Sequence, residues 1–264
     1  MGEEKAPRQW YAILKAVATS LDETGTADGP WSISAYVWAF AATPGPFSIE
    51  RLDEEGPEFA KLTSSTFDGL TDYVAVLRDA RKWVQMVTGA MKIKQNPSKL
   101  EIVNIVGIFD NGTIRKYPPH APPVSISVGL GTGVGKEGAK PRMTFELAVV
   151  LFAYRSGNPL VGDVLRYFAH SPDWFDLYSI MEIIRLDLNQ TGDGKKAGDK
   201  RILNRKWANK GELDAFYLTA DYHRHPRHEP PKPMSLRDAR QLVGRIAEQW
   251  MIEVSHRPRT ASPS

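Results

Sequence analysis

The run LEIVNIVGIFDNGTIRKY, residues 100–117, constrains the fold of this chain more than any other. Two stretches rich in β-branched residues flank Asp110-Asn111-Gly112, and these three residue types tolerate positive φ. The pattern predicts a β-hairpin, and a hairpin brings an antiparallel sheet with it. PPVSISVGLG (122–131) follows closely enough to add a third strand. WSISAYVWAFA (31–41), with Gly-Pro pairs on both sides, reads as a further strand whose Trp31, Trp38 and Phe40 are core aromatics. Residues 9–19 (QWYAILKAVAT) have helix-like apolar spacing. From Thr66 to Met91 the residues Leu70, Tyr73, Val74, Leu77, Ala80, Trp83, Val84 and Val87 recur at intervals of three and four, predicting a helix capped by Thr66 or Asp68 and ending near Gly89.

After the glycine-rich stretch VGLGTGVGKEGAKP the chain changes character, and from about Met143 onward the periodicity is helical. Asn158-Pro159 supplies a cap and a first-turn proline for a helix with Leu160, Val161, Val164, Leu165 and Phe168 on one face. Ser171-Pro172 repeats that device for a helix whose stripe (Trp174, Leu177, Tyr178, Met181, Ile184 and Leu188, widened by Ile180 and Ile183) covers more than half its circumference. Such a helix belongs at the centre of a bundle. A third helix is expected over about 211–222. A last one starts at Ser235, with Met234 as a staple against Ala239 and a buried stripe of Leu236, Ala239, Leu242, Val243, Ile246 and Trp250. The expected organisation is an α+β chain: a β-containing region over 1–130, with a small mainly antiparallel sheet and a packed helix, a glycine-rich linker over 131–142, a bundle of about four helices over 143–256, and a disordered tail over 257–264.

Composition narrows the function classes. At 42% hydrophobic residues over 264 positions the chain can bury a sizeable core, and a net charge of +3 is too small to imply nucleic-acid or membrane binding by bulk charge alone. Any basic partner site must be local. Cysteine is absent, which removes disulfides, thiolate nucleophiles and Cys-ligated zinc. The start is acidic, and no run of 18 apolar residues occurs, so the expectation is a cytoplasmic protein with no membrane partner.

Several motifs fail on context. Gly133-Val134-Gly135-Lys136-Glu137-Gly138 fits G-x-G-x-x-G, but Lys140-Pro141-Arg142 stands where the helix should begin and no βαβ unit encloses it. Glu137 occupies the position where a phosphate-binding loop needs Ser or Thr. Asp173 and Asp176 fall in the first turn of a helix, where acids are stabilising for helical reasons alone. No G-x-S-x-G elbow is present. No cofactor is expected.

HRHPRH (223–228) carries three of the six histidines. His223, His225 and His228 have a spacing that can converge on a metal, but Arg224 and Arg227 oppose a divalent cation, so none is expected. Pro226 and the following PPKP cannot continue a helix, which makes a solvated turn the plain reading. Alternatively, His moves a proton and Arg clamps a phosphate, a pair sufficient for metal-independent RNA cleavage. The basic segment 191–210, expected as a mobile loop, holds Lys195, Lys196, Lys200, Arg201, Arg205 and Lys206 to track an RNA backbone and Trp207 to stack a base.

A C-terminal bundle of about four helices with an Arg-x-x-x-His near the end of its third helix, followed by a last amphipathic helix, resembles the HEPN group of small helical domains. The resemblance spans residues 145–256 at most. In that group an Arg and a His with four to six residues between them line a dimer cleft and cut RNA. Here three residues separate Arg224 from His228, with Pro226 among them. Members without the motif are thought to bind or dimerise. A β-containing region ahead of such a bundle, with a C-terminal stretch like PMSLRDARQLVGRIAEQW, also resembles uncharacterised bacterial proteins. The resemblance implies an RNA-engaging protein, homodimeric through its C-terminal helices, with His228 transferring a proton and Arg224 or Arg227 holding phosphate. The alternative is a non-catalytic binding or oligomerisation module.

Overall fold

A computed structural model of the chain describes residues 6–18, 47–52, 59–93, 98–119, 124–125, 149–150, 152–153, 158–170, 172–189, 195–225, 230 and 232–257. It is an α+β protein that divides into two compact units, one of residues 1–85 and 97–151, the other of 86–96 and 152–264. The strand expected at 31–41, the glycine-rich 131–142 and the tail beyond Arg257 lie outside the described residues. None of the described helices is long and apolar enough to cross a membrane.

The first unit holds a six-stranded antiparallel sheet of β1 (Gln9–Ala18), β2 (Phe47–Arg51), β3 (Phe59–Ser64), β4 (Ser98–Ile108), β5 (Ile114–Tyr117) and β6 (Val124–Ser125), in the order β2-β3-β1-β4-β5-β6. The expected hairpin is β4–β5, and Gly112 supplies its positive φ of 78°. The expected third strand is present as β6 at 124–125.

The helix expected at 9–19 is instead the strand β1, paired with β3 on one side and β4 on the other. Trp10, Ala12 and Leu14 are buried on one face of the sheet, and Ile13 joins Val106 and Ile114 in a cluster on the other. A central strand buried on both faces has no polar alternation, so its apolar run fits a helical period equally well. Helix α1 (Tyr73–Ile93) buries Val76, Leu77, Ala80 and Trp83, and the Trp83 ring meets Phe47 with centroids 4.4 Å apart. It starts later than expected. Asp72 accepts from the Val74 and Ala75 amides, while Thr66 lies in a short 3-10 turn over Ser65–Phe67. The helix also passes through Gly89, whose missing side chain lets the Leu165 carbonyl approach.

The second unit is helical: the end of α1, then α2 (Pro159–Ala169), α3 (Trp174–Leu188), α4 (Lys195–Asn204), α5 (Lys210–Arg224) and α6 (Leu236–His256). Asn158 caps α2 as the Asn-Pro pair predicts, and Ser235 caps α6. The cap of α3 is Asp173, in a reciprocal capping box with Asp176, rather than Ser171. As expected of a central helix, α3 packs against α2, α4, α5 and α6, burying Trp174, Leu177, Ile180, Met181, Ile184 and Leu188. Trp250 of α6 is fully buried and donates from Nε1 to Asp187 at 2.7 Å. Asp187 also pairs with Arg257, which ties down the residue after α6.

The basic segment is where expectation and structure part most. Residues 195–204 form α4 rather than a mobile loop. Ile202 is fully buried, Gly198 lies against the backbone of Arg185, and Asp199 forms an ion pair with Arg185 at 2.9 Å. The helix stops in a Schellman arrangement. The Trp207 amide bonds Ile202 O, the Lys206 amide bonds Leu203 O, and Lys206 takes the left-handed position at φ 58°.

Candidate functional site

The site is built where the end of α5 meets the first turns of α3. Trp174 and Tyr178 stand one turn apart on α3 and therefore share a face. His223 and Arg224 are the last two residues of α5, where positive charge suits the carbonyl end of the helix. The His223 imidazole stacks on the Trp174 indole with centroids 5.0 Å apart and planes 10° apart. The Arg224 guanidinium lies over the Tyr178 ring, 3.9 Å from its centroid. Imidazole and guanidinium thus occupy adjacent places on one aromatic shelf. His223 is exposed and Arg224 half-buried. No carboxylate pairs with either among the described residues, so within that set the Arg224 contact with the Tyr178 ring leaves the guanidinium N–H donors uncommitted.

Behind the shelf the network becomes structural. Tyr178 meets Tyr217 edge-on, with centroids 6.3 Å apart. The Tyr217 hydroxyl donates to Asp199 at 3.0 Å, and Arg185 sits over the Tyr217 ring at 4.9 Å while pairing with Asp199. Burial, then the neighbouring Asp199 carboxylate, pushes the Tyr217 hydroxyl far above its ordinary range, so it stays a donor. Burial raises Asp199 above the ordinary 3.8, against the lowering effect of Arg185 and of the Tyr217 hydroxyl.

Of the residues predicted from sequence, Arg224 takes its place on this shelf, and Arg227 and His228 lie outside the described residues. His225 is the C-cap of α5, its amide donating to Asp221 O at 2.7 Å. Lys195 and Lys196 open α4, with side chains outside the described set; Lys200 is exposed farther along it. Arg201 donates to the Leu188 carbonyl, and Arg205 pairs with Glu253, so both serve the fold. Trp207 is 8% exposed, lies under the Arg205 guanidinium and is packed rather than displayed for stacking. Among the described residues no three His, Asp or Glu gather as metal ligands.

Sequence reasoning missed Trp174 and Tyr178 as parts of a site. Their i, i+4 spacing gave the same signal as core packing, and His223 was weighed as a metal ligand alone. No protein-family model, curated protein or solved structure matches the chain.

Proposed function

We propose that the helical unit is a HEPN-like module that engages single-stranded RNA at the α3–α5 shelf. One observation carries this reading: Arg224, with no acidic partner among the described residues, and exposed His223 are held side by side on Trp174 and Tyr178. Arg224 takes a phosphate through its open donors, and the outer face of His223 stacks a base. Lys200 and Lys206, exposed on and just after α4, add long-range attraction for the backbone. Cleavage without metal is the further step in this reading. Arg224 or Arg227 holds the reacting phosphate, and His228 takes the 2′-hydroxyl proton as that oxygen bonds to phosphorus and the 5′-oxygen leaves, to be protonated in turn. The unit acts as a homodimer in the cytoplasm.

The test is fluorescence anisotropy with a labelled single-stranded RNA across a salt series in chelator, followed by a gel for cleavage. Loss of one phosphate contact in Arg224→Ala weakens binding and lowers the salt slope by about 0.7. His223→Ala weakens binding by about tenfold at fixed salt, the size of one lost base stack. Equal binding by both variants and the native chain sinks the proposal. If RNA binds but stays intact in the native chain as in His228→Ala, the module binds without cutting.

A further inference from the structure

At the opposite end of α5 from the shelf, the corner between α4 and α5 forms a wide, open depression of about 600 Å³. Lys206, Lys210, Arg245 and Glu212 are its charged lining; Leu203 and Trp207 are its main apolar lining. That volume is in the range of small-molecule sites, and the mixture of an apolar side with convergent polar groups is what such sites share. Three observations assign it a ligand class.

The first is charge. Glu212 and Arg245 form an ion pair at 2.7 Å and cancel. Lys206 and Lys210 have no ion-pair or hydrogen-bond partner among the described residues, which leaves two positive charges on one cavity. The second is preorganisation. Arg245 donates from Nε to Trp207 O at 3.1 Å and from Nη2 to Glu212, so its fork is fixed before any ligand arrives and its other N–H groups remain for one. The third is the residue at 206. It holds the left-handed position of a Schellman motif, where glycine is the usual occupant, yet the chain places a lysine there at φ 58°. Local backbone preference therefore does not select Lys206, a residue that lines the cavity.

We infer that this corner binds a ring-bearing phosphomonoester, with the phosphate dianion on Lys206, Lys210 and Arg245 and the ring against Leu203 and the small exposed part of the otherwise packed Trp207. At neutral pH a phosphomonoester carries about −1.5 to −2, which matches the two uncancelled lysines. A sulfonate or carboxylate leaves one of them unmatched.

Isothermal titration of the full chain with phenyl phosphate, inorganic phosphate and phenol tests the inference. Phenyl phosphate is expected to bind about tenfold more tightly than inorganic phosphate, and phenol not at all. Lys206→Gly removes the ammonium while giving the turn its preferred residue, so this variant melts no lower than the native chain and binds phenyl phosphate at least about tenfold more weakly. Lys210→Ala has the same effect on binding. His223→Ala binds phenyl phosphate as the native chain does, which keeps this result separate from the RNA test. No heat with either phosphate, equal affinity for the two, or unchanged binding in Lys206→Gly overturns the inference.

Discussion

The imidazole of His223 lies parallel to the indole of Trp174, the two planes 10° apart. Trp174 is only 8% exposed, so the histidine is laid on the edge of the core rather than embedded in it. The two residues should therefore separate by mutation. Truncating His223 removes an exposed ring and is expected to change stability by less than about 1 kcal/mol. Truncating Trp174 opens a large cavity at about 3–5 kcal/mol. Urea denaturation of His223→Ala and Trp174→Ala measures both. A His223→Ala cost equal to that of Trp174→Ala means that the histidine belongs to the core and is no part of a binding shelf.

Two glycines in helices make a matched pair. A Cβ at Gly89 would stand 1.9 Å from Leu165 O, a backbone atom that cannot move without shifting α2 away from α1. At Gly162 in α2 a Cβ meets nothing within 4 Å. Gly89→Ala is expected to cost about 3 kcal/mol or more by overpacking. Gly162→Ala is expected to stabilise by about 0.5–1 kcal/mol, because alanine gives up less chain entropy in a helix. Thermal melts of the two variants should move in opposite directions.

The acid limb of stability should divide among carboxylates. Burial raises Glu212 and Glu253, but the Asn209 amide and Arg245 outweigh it for Glu212, and Arg205 and Arg257 outweigh it for Glu253. Both fall below the ordinary 4.5, so their stabilisation is present above that pH and is lost as pH falls through the folded values. Asp199 runs the other way. Its folded pKa lies above 3.8, so protonation favours the folded state and its contribution declines as pH rises through that window. Urea midpoints between about pH 5 and pH 3 should fall less steeply in Glu253→Gln and more steeply in Asp199→Asn than in the native chain. Slopes that change in the same direction in both variants contradict this division.

Trp250 and Asp187 form one buried junction with Arg257. Trp250→Phe keeps an aromatic ring but removes the Nε1 donor at 2.7 Å from Asp187, a side chain only 9% exposed. The expected loss is about 2–4 kcal/mol, a volume effect plus a carboxylate oxygen left with Arg257 alone. Adding Arg257→Ala to Trp250→Phe should cost more than the two single changes combined, because Asp187 then loses both of these partners. A thermodynamic cycle over the four proteins reads that coupling.

Local chemistry made much of this protein legible. The Asp-Asn-Gly turn specifies β4–β5 because Gly112 takes its positive φ without strain, and Asn158, Asp173 and Ser235 mark helix starts because their side chains satisfy amides within a few residues. The wide stripe of α3 foretold a central helix because four neighbours need that much apolar circumference. Such features depend on contacts a few residues apart, and a chain carries those wherever it goes.

Tertiary structure decided the rest. β1 became a strand because β3 and β4 bond both its edges and both its faces are buried, conditions that no local period encodes. α4 formed from a basic, glycine-containing segment with a lysine where a glycine stop is usual, because Asp199 meets Arg185 and Tyr217 across the fold and Gly198 lets α3 come close. The shelf arose in the same way. Trp174 and His223 are far apart along the chain, and only the packing of α5 against α3 brings them together.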